Sequence, residues 1–195
     1  MASGTRERIV QRTAELLRER GYAGTGLKAI STASGAPFGS VYHFFPDGKE
    51  ELAAAALRSA ADGYARHVAG LIAEGGSDLP DAMRHSFSRA ARTLVDTDYA
   101  DACPIATVAL EVASSNEPLR QVTADIFEGW LTGLDALFGA AGLDAGTARR
   151  LSTLFLAALE GGFLLSRSAR DPAPMHALGE SVAHAVEAAL REAPR

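Results

Sequence analysis

Apolar residues recur at spacings of three and four along almost the whole chain, and no stretch alternates apolar and polar residues as a half-buried strand does. Glycines, prolines and capping residues separate the periodic segments. The pattern therefore predicts an all-α protein of about nine helices. Their expected ranges are about 5–20, 26–33, 37–44, 48–73, 78–96, 104–115, 117–142, 145–169 and 175–192.

The second and third predicted helices are short and are separated by a tight turn. Gly35 offers the backbone freedom that such a turn needs, and Pro37 suits the first position of a helix because its missing N–H is not needed there. Thr25 is expected to cap the second helix. Asp47 and Glu50 are expected to form a capping box at the start of the fourth. Two short helices joined in this way are typical of a helix-turn-helix.

The third predicted helix has a composition suited to contact with DNA. Gly39 and Ser40 are small, so they permit close approach in a major groove about 12 Å wide. Tyr42 and His43 carry groups that can form hydrogen bonds with phosphates or base edges. The segment is therefore a candidate recognition helix.

Two side-chain arrangements are open for this segment. In the DNA-reading arrangement, Val41 and Phe44 face the core, and Lys49 forms an anion site with the free N–H groups that open the fourth helix. In a compact three-helix subdomain with no DNA role, Tyr42 and Phe45 are core aromatics and Lys49 is a solvated charge.

Charge is distributed unevenly along the chain. The protein carries a net charge of −5, but residues 1–60 contain eight basic and six acidic side chains, which gives +2. The remaining 135 residues therefore carry −7. The N-terminal third is the only part expected to approach phosphate without net repulsion, which supports DNA binding there.

The stretch 25–52 resembles the DNA-binding signature of the tetracycline-repressor (TetR) family. The segments 36–40, 46–49 and 103–105 are similar to the subgroup that contains lincomycin-resistance and related multidrug-responsive repressors. The residues that carry the resemblance to the signature are Thr25, Ile30, Gly35, Gly39, Ser40, Tyr42, His43, Phe45, Pro46, Lys49, Glu50 and Leu52.

This resemblance implies a ligand-responsive transcriptional regulator, most often a repressor. It implies a DNA-binding domain over 1–48 and an effector-binding and dimerisation domain over 49–195, connected by the fourth helix at about 48–73. A homodimer would bind a palindromic operator, with its two third helices about one duplex turn apart. The DNA contacts that follow are Thr25, Lys28, Pro37, Phe38, Gly39, Ser40, Tyr42, His43 and Lys49.

Phe38 departs from the family pattern. Many relatives carry a polar or basic residue at this position, and phenylalanine cannot form the bidentate guanine contact that arginine forms. Contact with a thymine methyl group is the base contact open to Phe38.

Aromatic residues are concentrated on the fifth, seventh and eighth predicted helices. They could line a concave apolar site for a flat or lipophilic effector, or they could simply fill the core. Glu111 is a candidate internal polar partner, although an exposed position is the alternative for it. The expected ligand contacts are Phe87, Val108, Glu111, Phe127, Trp130, Phe155 and Leu159.

The eighth and ninth predicted helices carry more apolar surface than one protomer can cover. This predicts an isologous four-helix dimer seam. An effector that binds two states unequally would then change the spacing of the two DNA-reading heads. The expected seam residues are Leu156, Gly161, Leu164, Leu165, Leu178, Val182 and Val186.

Catalytic and metal chemistry have little support in the sequence. The five histidines show no HxH or HExxH spacing, so no metal is predicted. The chain has no G-x-S-x-G segment, phosphate-binding loop or dinucleotide fingerprint, so neither an enzyme nor a cofactor is predicted. The alternative class is a helical small-molecule enzyme or carrier that has kept a degenerate helix-turn-helix.

Cys103 is the only cysteine, so no intramolecular disulfide can form. A buried small residue is expected there, and a redox sensor is the alternative. No apolar run reaches the ~20 residues that cross a bilayer, and the N-terminal region lacks a signal-peptide pattern. The chain is therefore expected to be cytoplasmic, with no membrane partner.

Overall fold

A computed structural model of the protein describes residues 2–100 and 102–193. Over these ranges the chain forms nine α-helices and no strand, which confirms the all-α prediction. The helices are α1 (Ala2–Arg20), α2 (Leu27–Ser34), α3 (Phe38–Phe44), α4 (Lys49–Glu74), α5 (Leu79–Asp96), α6 (Pro104–Val112), α7 (Glu117–Ala140), α8 (Ala145–Ala169) and α9 (Ala173–Glu192).

Two of the predicted helix caps are wrong. The N-cap of α2 is Gly26 rather than Thr25, because the Thr25 hydroxyl donates instead to the carbonyl oxygen of Gly21 at 2.7 Å. At the start of α4, the N–H of Asp47 donates to Glu51 at 3.0 Å rather than to Glu50. Because α4 begins only at Lys49, Glu51 is the acid that lies one helical turn beyond Asp47.

The chain packs as two compact units. Over the described residues, unit 1 comprises 2–64 and 102–127, and unit 2 comprises 65–100 and 128–193. Helices α4 and α7 each run through both units. This packing differs from the predicted functional division at residue 48, because α6 and the first part of α7 belong to the same unit as α1, α2 and α3.

The core of unit 1 forms where α1 packs against α2, α3 and α6. Val41 is fully buried, as predicted. Phe45 is also buried, whereas Phe44 is only half-buried, so the expectation that Phe44 faces the core holds only in part. Tyr42 has 48% of its surface exposed, which excludes the alternative in which Tyr42 is a core aromatic.

The core of unit 2 forms where α5 and α8 pack against each other and against α9. The rings of Phe87 and Phe155 meet edge to face, with centroids 5.4 Å apart and an interplanar angle of 82°. Both side chains are fully buried. No described helix is long and apolar enough to span a membrane.

Cys103 lies at the N-cap of α6 in unit 1. Its side chain is buried, and its sulfur accepts the N–H of Ala106 at 3.5 Å. The expected buried position is therefore confirmed.

Candidate functional site

The turn before α3 fixes how this helix is presented. Helix α2 ends at Gly35, whose φ of +61° lies in the left-handed region that glycine adopts readily. Pro37 then caps α3, and its carbonyl oxygen accepts the N–H groups of Ser40 and Val41 at 2.8 and 3.3 Å. A glycine turn followed by a proline therefore starts a seven-residue helix that Val41 anchors in the core.

The outer face of α3 is open to solvent. Phe38 and Tyr42 are 44% and 48% exposed, and their ring centroids lie 6.0 Å apart along one side of the helix. Gly39 and His43 are also exposed, and Ser40 is half-buried. A Cβ atom on Gly39 would have no atom outside its immediate helical neighbours within 4 Å. The small size of this residue therefore serves approach from outside rather than internal packing.

Most of the predicted DNA contacts lie at the surface of unit 1. Lys28 and Pro37 are exposed, as are four residues of α3. Thr25 is an exception, because its side chain is buried and its hydroxyl bonds to the Gly21 carbonyl oxygen in the turn between α1 and α2. The prediction that the Thr25 hydroxyl contacts DNA directly is therefore wrong. Its role is to shape the turn.

Lys49 is half-buried and sits against an aromatic ring. Its Nζ lies 4.1 Å from the ring centroid of Tyr22. Burial lowers the pKa of the Lys49 ammonium, and the nearby carboxylate of Glu111 opposes this shift. The interpretation of Lys49 as a freely solvated charge is therefore wrong.

Two hydrogen bonds join the α6–α7 segment to the helix-turn-helix within unit 1. Glu111 Oε2 accepts the N–H of Ala23 at 2.9 Å, in the turn between α1 and α2. Asn116 Nδ2 donates to Glu50 Oε2 at 2.7 Å, at the start of α4. A Cβ atom on Gly21 would lie 1.6 Å from Glu111 Oε1, so glycine at this position makes the first contact possible.

The place where the α6–α7 segment meets the helix-turn-helix, here called the α6–α7 junction, also affects the pKa of Tyr22. Burial raises the pKa of the Tyr22 hydroxyl, and the charge on Glu50 raises it further. Asn116 serves two contacts at once, because its Oδ1 also accepts the N–H of Leu119 at the start of α7. These contacts were not predicted from the sequence, since nothing in its local pattern relates positions so far apart.

The predicted ligand residues fall into both units. In unit 1, Val108 is buried, Phe127 is half-buried and Glu111 is exposed and bonded to Ala23. Unit 2 contains the other four: Phe87, Phe155 and Leu159 are buried and Trp130 is half-buried. The structure brings Phe87 and Phe155 into direct contact.

A groove of about 600 Å³ lies on unit 2, along α5 and α9. Six of its nine lining residues have polar side chains, and Arg84 in the groove bonds to Asp81 and Glu180 at 2.7 and 3.0 Å. None of the predicted ligand residues lines it. The residues described include no group of three or more His, Cys, Asp or Glu side chains placed to hold a metal ion.

The predicted dimer seam divides into exposed and buried members. Leu164 and Leu165 are 66% and 53% exposed, and Leu156, Gly161 and Leu178 are half-buried. Val182 and Val186 are fully buried within unit 2, so their assignment to the seam is wrong: they have no surface to offer a partner. Leu154 on α8 is a further exposed leucine that the sequence did not single out.

Comparisons with known proteins give consistent matches over both ends of the chain. The family model described as "Bacterial regulatory proteins, tetR family" matches residues 9–56. The one described as "Transcriptional regulator LmrA/YxaF-like, C-terminal domain" matches residues 80–181. The first match includes α3, and the second runs from α5 into α9.

Individual proteins agree with these matches. An uncharacterized HTH-type transcriptional regulator of Mycobacterium tuberculosis is 35% identical, covering 98% of this chain and 99% of its own. The HTH-type transcriptional regulator LmrA of Bacillus subtilis is 30% identical over 88% of this chain and 90% of its own. A regulatory protein TetR from Rhodobacter sphaeroides, solved by crystallography, has a similar fold, with a TM-score of 0.78, 21% identity and coverage of 92% and 97%.

Proposed function

Because this chain belongs to the TetR family of transcriptional regulators, we propose that it is a repressor that binds a palindromic operator as a homodimer. A small lipophilic or aromatic effector releases it from the DNA. Its C-terminal helices are of the LmrA/YxaF-like type, in agreement with the subgroup that the sequence resembles. Since operator DNA is its partner, the protein acts where the chromosome is, in the cytoplasm.

The observation that carries the DNA-binding proposal is the open face of α3. An α-helix with its side chains is about 10–12 Å across, so the seven-residue α3 fits a major groove about 12 Å wide. Gly39 permits close approach, and the hydroxyl of Tyr42 and the imidazole of His43 stand on the exposed surface beside it. The buried Val41 holds this face outward.

Exposed leucines on α8 support the homodimer. Leu154, Leu164 and Leu165 are large apolar side chains at the surface of unit 2, and burying them against a second copy would be favourable. The effector is expected to contact aromatic side chains of unit 2, with Phe87, Phe155 and Trp130 as candidates. Its release of DNA requires that it bind the DNA-free state more tightly than the DNA-bound state.

The α6–α7 junction supplies a physical route for this response. Glu111 and Asn116 bond to the turn before α2 and to the start of α4. A movement of the α6–α7 segment would strain or break these bonds and shift the helices that position α3. The junction thus links the C-terminal part of the chain to its DNA-reading part.

Fluorescence anisotropy with labelled DNA from the protein's own promoter region tests the proposal. The wild type should form a complex that resists unlabelled competitor DNA of unrelated sequence. Tyr42→Ala should weaken binding to every operator, because it removes a phosphate-contacting group, whereas Ser40→Ala should change the base preference. Leu110→Ala is the matched control, since Leu110 is the most exposed large apolar residue described and lies on α6.

The competing class is a helical binding protein or enzyme with a degenerate helix-turn-helix. Such a protein would give no sequence-specific complex at low salt while remaining folded. A compound screen by thermal shift separates the classes further, because a ligand of the folded state raises the melting temperature. For the repressor, a stabilising compound should also release the operator.

A further inference from the structure

A groove of about 550 Å³ lies on unit 1 between α1 and the first half of α4. It is separate from the exposed face of α3 and was not singled out by the sequence. Its apolar lining residues are Val10 and Ala55. Its polar lining residues are Arg6, Glu7, Gln11, Arg58 and Ser59.

The two arginines of this groove have no carboxylate partner among the described residues. The guanidinium of Arg6 lies 5.1 Å from the ring centroid of Phe45, and Arg58 is exposed and has no hydrogen bond or ion pair with another residue that the structure describes. Arg12, on the same helix as Arg6, is by contrast paired with Glu15 at 2.6 Å. A guanidinium stacked on a ring, like that of Arg6, keeps its N–H edge available for hydrogen bonds. Arg6 and Arg58 can therefore each bind an anion.

The groove lies close to the end of the recognition helix. Phe45, beneath Arg6, is the C-cap of α3, and its N–H donates to the carbonyl oxygen of Val41 at 2.9 Å. A helix seated in the major groove lies between the two phosphate backbones that border the groove. A cation beside the end of α3 is therefore placed to meet one of these backbones.

We infer, on the basis of the function proposed above, that this groove binds the operator's phosphate backbone next to the half-site that α3 reads. Arg6 and Arg58 each neutralise one phosphate, and Gln11 and Ser59 donate hydrogen bonds. Its lining holds two guanidinium groups and one carboxylate, that of Glu7, so the groove carries a net charge of +1. It adds affinity and fixes the position of the head, but it reads no base.

The salt dependence of operator binding tests this inference. The affinity of the wild type, Arg6→Gln, Arg58→Gln and the double variant is measured by anisotropy between 50 and 200 mM salt. The plot of log K against log salt has a negative slope, and each lost phosphate contact makes this slope shallower by about 0.9. For a dimer, the slope should become shallower by about 1.8 in each single variant and by about 3.6 in the double variant. The preferred operator sequence should stay the same.

Arg66→Gln is the control. Arg66 lies on the same helix, about 12 Å beyond Arg58, and is likewise exposed and unpaired among the described residues. It should leave the slope unchanged. Arg58 is exposed and forms no hydrogen bond or ion pair with another described residue, so Arg58→Gln separates a DNA effect from a folding effect even if Arg6→Gln is less stable.

If Arg6→Gln and Arg58→Gln show the same salt-dependence slope as Arg66→Gln, the inference that the groove binds the phosphate backbone is wrong. The repressor proposal would be unaffected by that result. A wild type that binds no operator would overturn both.

Discussion

Replacing Gly179 with alanine tests how tightly α9 packs against α5. Gly179 lies in the interior of α9, where alanine normally stabilises a helix by about 1 kcal/mol relative to glycine. At this position, however, the new Cβ would lie 2.6 Å from the Cβ of Phe87 and 3.1 Å from its Cγ. Real Cβ atoms do not approach so closely, so one of the two helices must move.

The clash cannot be relieved by a rotation of the Phe87 side chain. The Cβ of Phe87 moves only with the backbone of α5, and its buried ring is held edge to face against Phe155 at 5.4 Å. Overpacking of this kind costs about 1–3 kcal/mol. After the helix-propensity gain of about 1 kcal/mol, we expect a net loss of about 1 kcal/mol. That loss lowers the melting temperature of a chain of this size by about 2–4 °C.

Thermal unfolding followed by circular dichroism measures this change, with Gly133→Ala as the matched control. Gly133 lies on α7 in unit 2, is exposed, and an added Cβ would meet no atom within 4 Å beyond its helical neighbours. Gly133→Ala should therefore raise the melting temperature by about 2–4 °C. If Gly179→Ala raises it equally, the close packing of α5 and α9 is refuted.

Three further predictions concern charge and base reading. Glu111→Gln should lower the pKa of Lys49 still further, because the Glu111 charge opposes the lowering caused by burial. NMR titration of isotope-labelled lysine measures this pKa, and an unchanged or raised value would contradict the prediction. Hydrogen bonds from Thr147 hold the pKa of Asp144 below its ordinary 3.8. The stabilisation is therefore present above pH 3.8 and is lost as the pH falls through the depressed folded pKa. Asp144→Asn should keep the cap and abolish this acid sensitivity, as melting curves across that range would reveal; equal sensitivity in both proteins would contradict it. Phe38→Arg should favour guanine at the contacted position by about 1–3 kcal/mol, measured with operators that differ at single bases, and an unchanged preference would place Phe38 away from the bases.

The sequence predicted most helix boundaries because the signals that set them are local. The range 145–169 of α8 was predicted in full, since Asp144 caps its start and the segment after Ala169 contains two prolines. The open face of α3 was also predictable from small residues and helical spacing. The direction of Phe44 was predicted less well than that of Val41, because Phe44 lies at the end of the helix. The next residue, Phe45, has a φ of −137° that breaks the helical period, and it is Phe45 that is buried.

Contacts between distant segments could not be predicted. The bond of Glu111 to Ala23 involves a backbone N–H, which every residue except proline carries, so no residue type marks the partner. The direction of Val182 and Val186 was ambiguous for a different reason. Helix α9 has apolar residues on more than one face, and only the packing shows which of them meet α5 and α8.

Selection of binding sites from a random DNA pool tests the central claim most directly. Wild-type protein is incubated with the pool, bound DNA is recovered and amplified, and the enriched sequences are aligned. A dimer that reads DNA through two α3 helices should enrich an inverted repeat whose half-site centres lie about 10 base pairs apart. A folded protein that enriches no common sequence would contradict the assignment of α3 as a recognition helix.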